Sequence, residues 1–381
     1  MYPAAVLVKS LTDSLGLYIH IPFCEKKCNY CDFYSSFVTE ELLDKFTESL
    51  ISYVKKWGGN LKNRPIDTIY FGGGTPSLMN KRLETVLNVI KAEFNVLDSA
   101  EITLELNPTG NVEELLQSAK KAGVNRLSIG MQSSSDTELS VLGRRHSKQD
   151  IINTFLLARR FHFDNISLDI MLGLPDSSCE TLEESLQFAA DLSPEHISAY
   201  ILKIEDNTPF YKNRDKLCLP DDDMQSEQYL FMCNFLQKKG YTHYEISNFC
   251  KTGKESRHNL KYWHCEEYLG LGPSAHSFLD GKRFYYQRNL KDFINGTTPV
   301  ADGTGGDLNE YIMLALRLKE GISVKAIEEK FSIKLPNSIF KKCKLFEKGN
   351  LLKYENGNIS LTESGMLVSN TVISELLECI E

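Results

Sequence analysis

The sequence lacks a long apolar run, a surplus of positive charge and a second pair of closely spaced cysteines, and each absence removes a class of function. No stretch approaches the roughly 18 apolar residues that span a bilayer, so membrane contact would have to be peripheral, through a partner. The balance of 43 basic against 51 acidic residues leaves a formal charge of -8, a poor match for a phosphate backbone, and nucleic acid is not expected as a partner. Met1 to Leu11 shows no basic segment, sustained apolar core or small-residue cleavage site, so the chain reads as cytoplasmic. In such a chain the 10 cysteines point to a reducing compartment, where clustered thiols bind metal more often than they form disulfides. No internal repeat or low-complexity segment is present.

At 381 residues the chain suits one large domain and a smaller one. Six β-branched and aromatic runs predict strands at Leu17 to Ile21, Ile66 to Phe71, Ile102 to Leu106, Arg126 to Met131, Ile166 to Leu172 and His196 to Ile204, each followed by helix-compatible sequence. The first helix has Thr39 as N-cap, Leu43, Phe46, Leu50 and Val54 on one face, and Gly58 as its expected end. Six such units imply an α/β fold. Polar and glycine-rich residues fall at the carboxyl ends of several different strands, which favours a partial TIM-like (β/α)6 barrel over an open doubly wound sheet.

Residues 1–240 are read as this barrel and 241–300 as an extension beside it, with a boundary in the loop from Ala301 to Gly306. The remainder predicts helices at Leu308 to Leu318, Val324 to Phe331 and Asn337 to Lys348, a hairpin turning at Asn356-Gly357, and a last helix from Thr362. That order is winged-helix-like. From Asp307 onward it carries 10 basic and 11 acidic residues, which suits a packing or partner-docking module better than a DNA reader.

Three cysteines, Cys24, Cys28 and Cys31, follow the first strand in a C-x3-C-x2-C spacing. Three protein thiolates on a four-iron cluster leave one iron open to an exogenous chelator, and the amino and carboxylate groups of S-adenosylmethionine (SAM) suit that vacancy. A structural zinc site completed by His20 or Asp32 is the alternative, although zinc sites generally pair two such knuckles. The Gly72-Gly73-Gly74-Thr75 turn could pass against a ligand with its amides and carbonyls free, or be only a turn. Glu105, Gln132, Arg144 and Asp169 are polar groups at strand ends or on the loops that follow. Each could be a satisfied structural contact; together on one rim they read as a cofactor cradle.

The cysteine spacing followed by Gly-Gly-Gly-Thr-Pro resembles the radical SAM family, and within it the group of anaerobic coproporphyrinogen III oxidases and HemW-type haem chaperones. Gly130 to Ser133, Leu142 to His146, Asp169 to Pro175 and a similar C-terminal domain extend the resemblance over most of the chain. It implies a 4Fe-4S cluster on the three cysteines, with Tyr18, Tyr30, Gly73, Gly74, Thr75, Glu105, Gln132, Arg144 and Asp169 contacting SAM. The oxidases it resembles carry a further cysteine where this chain has Phe33, and a longer segment before the cysteines. Arg257 to Trp263 is similar to the HN-x2-YW motif of the HemW-type group, which implies haem as cargo held at His258. By its chemistry alone, His258 reads first as a structural histidine beside two core aromatics, and it is the resemblance that points to haem. The resemblance further implies haem-requiring acceptor proteins, some of them membrane-bound, and a separate electron donor, with oxidative decarboxylation of coproporphyrinogen III as the competing activity.

Overall fold

A computed structural model describes residues 14–110 and 112–380. The expectation about an export signal falls on Met1 to Leu11, outside the described residues. All six expected strands are present: β1 (Leu15–Ile21), β2 (Pro65–Gly73), β3 (Asn95–Leu106), β4 (Arg126–Gln132), β5 (Ile166–Leu172) and β6 (His196–Ile201). Each pairs in parallel with the next. The intervening helices are α1 (Glu40–Leu61), α2 (Lys81–Glu93), α3 (Val112–Ala122), α4 (Lys148–Arg160) and α5 (Cys179–Leu192), with α6 (Asp222–Lys238) following β6. This is the curled α/β sheet of a partial TIM-like barrel.

Strand parity decides where each side chain goes, because successive residues of a strand point to opposite faces. Leu17, Ile19 and Ile21 of β1 are fully buried in the layer between sheet and helices, where Phe23 meets Phe46 of α1 edge-on at 5.4 Å. Ile102 and Leu104, Leu127 and Ile129, and Leu168 and Ile170 continue that layer on β3, β4 and β5. The other parity faces inward and is polar: Tyr18 and His20, Thr68 and Tyr70, Thr103 and Glu105, Arg126 and Ser128, Ser167 and Asp169, His196 and Ser198.

The region after residue 240 contributes to both edges of the sheet instead of lying beside it. β7 (Thr242–Glu245) and β8 (Asn248–Cys250) extend the β6 edge antiparallel. The helix α7 (Arg257–Trp263) leads into β9 (Tyr268–Leu271), which pairs in parallel with β1 and adds a seventh parallel strand. β10 (His276–Leu279), β11 (Lys282–Tyr285) and β12 (Val300–Thr304) complete that side. The stretch expected as a domain-boundary loop is therefore largely edge strand, because Lys282 and Phe284 offer it a partner. β6 ends at Ile201, short of the expected Ile204.

The C-terminal unit has the expected order of three helices and a hairpin, but the single last helix expected from Thr362 is split into Glu363–Leu367 and Ser369–Leu377; β13 (Ile322–Ser323), β14 (Leu352–Glu355) and β15 (Asn358–Leu361) form a small sheet. Its first helix stops at Ala315, not Leu318, because the next residues pair with β7: Ile246 N–H donates to the Arg317 carbonyl and Lys319 N–H to the Tyr244 carbonyl, at 3.0 and 2.9 Å. Among the described residues, no helix is long and apolar enough to cross a membrane.

Thr39 caps α1 as expected, accepting from the Leu42 amide, but Gly58 does not end the helix. It marks the crossing with α2, where a Cβ on Gly58 would lie 2.6 Å from the Glu93 Cβ and 2.9 Å from its carbonyl oxygen. Gly to Ala in a helix ordinarily stabilises by about 1 kcal/mol. Here the helices would have to separate, so Gly58→Ala should lose about 1 to 3 kcal/mol in urea denaturation. A gain in stability would show that the crossing is loose.

Candidate functional site at the mouth of the barrel

The cysteine loop leaves β1 and is tied to the barrel rim at several points. Gly74 N–H donates to the Ile21 carbonyl at 2.8 Å and Thr75 N–H to the Phe23 carbonyl at 2.7 Å. Asn29 clamps the middle of the loop: its amide N–H donates to the Leu142 carbonyl at 3.0 Å, its side chain donates to the Val141 carbonyl at 2.8 Å, and its own carbonyl accepts from Phe210 N–H at 2.9 Å. This clamp draws the loop after β4 over the cysteines and places Arg144 against them.

Arg144 Nη1 lies 3.5 Å from Cys28 Sγ, and Nη2 donates to Asn107 Oδ1 at 2.6 Å and to the Gly130 carbonyl at 2.7 Å. Asn107 Nδ2 donates to Thr75 Oγ1 at 3.2 Å, and Thr75 Oγ1 donates to Cys24 Sγ at 3.6 Å. A continuous polar chain thus runs from one cysteine to another by way of the ends of β2, β3 and β4. Burial works against the Arg144 charge, but Tyr30 and Cys28 beside it outweigh that and raise its pKa. Burial pushes the Cys31 thiol up to about 11, with Cys28 and Cys24 adding to the effect. Crowded thiols of this kind need positive charge nearby to become ligands, which iron and Arg144 can supply.

The alternative of a zinc site loses His20 as its fourth ligand, and its other candidate, Asp32, is already engaged in an ion pair. His20 is 4% exposed inside the barrel, and its ring nitrogens are occupied by the Tyr18 hydroxyl and the Tyr34 carbonyl, each at 3.0 Å. Asp32 is held by Arg288 at 3.1 Å. Among the described residues, no three His, Cys, Asp or Glu side chains converge as ligands of a single ion would. In a cubane each thiolate binds a different iron, so convergence on one point is not required.

A cavity of about 530 Å³ opens beside the three cysteines. It brings together Tyr30, Gly73, Gly74, Thr75, Glu105, Gln132, Arg144 and Asp169 from five strands and the loops after them. Tyr18 stands a layer below, its ring 6.2 Å from that of Tyr70. The glycine turn differs from expectation: its amides are not free, since Gly73 N–H donates to Glu105 Oε2 at 3.2 Å and the next two donate to the end of β1 and the start of the cysteine loop. Gly73 is required on two counts. Its φ is +111°, and a Cβ there would lie 2.6 Å from the His20 ring. Gln132 adopts φ +66°, a left-handed conformation costly for a side chain with a Cβ and one often found where a site is being shaped.

Glu105 accepts from the Tyr70 hydroxyl at 2.8 Å, and burial raises its pKa to about 7 despite that bond. Asp169 is also raised by burial, while Ser128 at 2.9 Å and Arg126 pull it back. The rim therefore holds two carboxylates whose charge is costly without a cation.

His258 does not join this site. It is 1% exposed at the opposite end of the barrel interior, with Nδ1 2.9 Å from Thr68 Oγ1 and Nε2 2.8 Å from the Tyr262 hydroxyl. Burial drives its pKa down to about 3, keeping the ring neutral. Neither nitrogen has a lone pair facing open space, so the expected haem contact is not available in this arrangement. Asn107 and Asn29 were not singled out from the sequence. Asn107 carried a signal, standing two residues after Glu105 at a strand end; Asn29 carried none beyond lying between the cysteines.

Residues 18–189 match the radical SAM superfamily and residues 307–368 the HemN C-terminal domain. A Bacillus subtilis (strain 168) protein named haem chaperone HemW is 36% identical over 379 residues, covering 94% of this chain and 98% of that one. This chain belongs to the HemW family. A HemW from Escherichia coli (strain K12) is 39% identical over 290 residues, covering 74% of this chain and 76% of its own. The solved structure of E. coli coproporphyrinogen III oxidase (HemN), described as a radical SAM enzyme, shares the fold at a TM-score of 0.83 and 21% identity, over 96% of this chain and 90% of that one. Membership in the radical SAM superfamily implies a 4Fe-4S cluster and SAM as cofactors, and the three-cysteine loop with its adjoining cavity fits both.

Glu105 yields a pH-dependent test. Its folded pKa, about 7, exceeds the ordinary 4.5, so the folded state holds the proton longer and Glu105's contribution to stability falls as pH rises between those values. Without cluster or SAM, the stability of the parent relative to Glu105→Gln should drop by about 3 kcal/mol from pH 4.5 to pH 8 in urea denaturation. A difference independent of pH would mean that folding leaves the Glu105 pKa at its unfolded value.

Proposed function

We propose that this HemW-family chain is a haem carrier, which holds its cluster and SAM at the barrel mouth and delivers haem to haem-requiring proteins. The observation that carries the reading is similarity along almost the whole chain to proteins named haem chaperone, 36% identical over 94% of it. Phe33, where the resembling oxidases have a further cysteine, supports it as well. Phe33 is 66% exposed at the cavity, and Lys26, Lys27 and Lys203 also line that cavity. An exposed aromatic beside cations suits a flat apolar macrocycle carrying anionic propionates.

Bound at the three cysteines, the cluster would supply an electron to the SAM sulfonium. The chain's own part is to bind and orient. Asn29 and Arg144 hold the cysteine loop closed over the rim, Glu105 and the Gly73 turn line the SAM side, and Thr75 and Asn107 tie the two together. In this reading the protein works in the cytoplasm, with electrons from a separate donor. The C-terminal unit is a docking module for acceptors, including membrane-bound ones, which would bring the chain to a membrane through a partner.

Anaerobic haem titration of the reconstituted protein should saturate, and Phe33→Ser should weaken binding about tenfold. Incubation with coproporphyrinogen III and SAM should give no decarboxylated product. Turnover above one per protein, with haem binding that never saturates, would establish the decarboxylase instead.

A further inference from the structure

The Arg257–Trp263 motif is fastened to the barrel floor at several points. The backbone amides of Arg257 and His258 donate to the two oxygens of Glu101 at 3.2 and 3.1 Å, anchoring the start of α7 to β3. Lys261 is buried between Asp67 and Glu266 at 3.0 and 3.1 Å. Tyr262 closes over His258. The His258 ring stacks on Tyr70 with centroids 5.3 Å apart and lies 6.4 Å from Tyr18.

Two routes rise from this floor and meet at the same residue. Tyr70 donates to Glu105 Oε1, and Glu105 Oε2 accepts from Gly73 N–H. Tyr18 is bonded to His20, whose ring packs where a Cβ of Gly73 would be. We propose that His258 is a positioning residue for SAM: it braces Tyr70 and Tyr18 from beneath, and through them sets Glu105 and the Gly73 turn at the rim. The inference rests on the cavity being the SAM site and places no haem on His258, both of whose ring nitrogens are engaged within the barrel. Close-packed rings pass a displacement on, since an emptied site is only partly filled by its neighbours.

The test uses the full chain, reconstituted anaerobically, with SAM affinity read from the change SAM makes in the electron paramagnetic resonance spectrum of the reduced cluster. His258→Phe and Tyr70→Phe should each weaken SAM about tenfold at unchanged iron content. The double variant should be no weaker than the worse single one, as expected of residues acting in one chain. Haem titration of His258→Phe should match the parent. SAM affinity within about twofold of the parent in either iron-loaded variant would overturn the proposal, as would loss of haem from His258→Phe with SAM unaffected. If His258→Phe takes up no iron, Tyr70→Phe and Thr68→Val, which removes the Nδ1 bond with little change of shape, decide by the same criterion. A parent that binds SAM but no haem would end the haem-carrier reading and leave this one standing; a parent that binds no SAM would end this one.

Discussion

A polar group inside a barrel has no bulk water to turn to, and this constraint organises the molecule. The inward parity of the six strands carries Glu105, Asp169, Arg126, His20 and His196 among tyrosines, serines and threonines. Each must be met by another inward group or bear a desolvation cost of several kcal/mol. The observed pairings follow: Tyr70 with Glu105, Ser128 with Asp169, Ser167 and Tyr244 with His196, Thr68 with His258. Polar interiors of this kind specify geometry, because each bond fixes a ring or carboxylate against a neighbouring strand.

The mouth and the floor are two ends of the same network. At the mouth the network reaches the cysteines through Thr75, Asn107 and Arg144, so the loop is aligned by contacts to the barrel rim together with its own Asn29. At the floor it is closed by α7, a segment more than 200 residues downstream of the cysteines that it supports. The C-terminal unit joins through the β7 edge at Ile246 and Lys319. The cysteine loop is thereby held in a cradle built by the rest of the barrel.

Much of this was legible beforehand. Strands read well because their apolar parity is regular, and the first helix announced itself through Thr39. Gly58 misled because a glycine reads as a stop, whereas here it is the one residue small enough for two helices to cross. The loop 301–306 misled because its turn residues gave no sign of an available neighbouring strand. His258 is the instructive case. A motif histidine next to aromatics fits an axial ligand or a packed ring, and the choice turned on both its nitrogens being engaged, one by Thr68 of a distant strand and one by Tyr262 of its own helix.

By itself the sequence determined the candidate site groups: three cysteines in one loop, a glycine turn after the second strand, and carboxylates at strand ends, all properties of residue type and local spacing. Only the tertiary structure decided which of these groups face one another, and that Asn29 and Asn107 link them while His258 stands at the far end. The reason is physical. Local spacing sets what a side chain can bond, but a buried group's partner is supplied by another strand, and strand neighbours are settled by how the whole sheet curls.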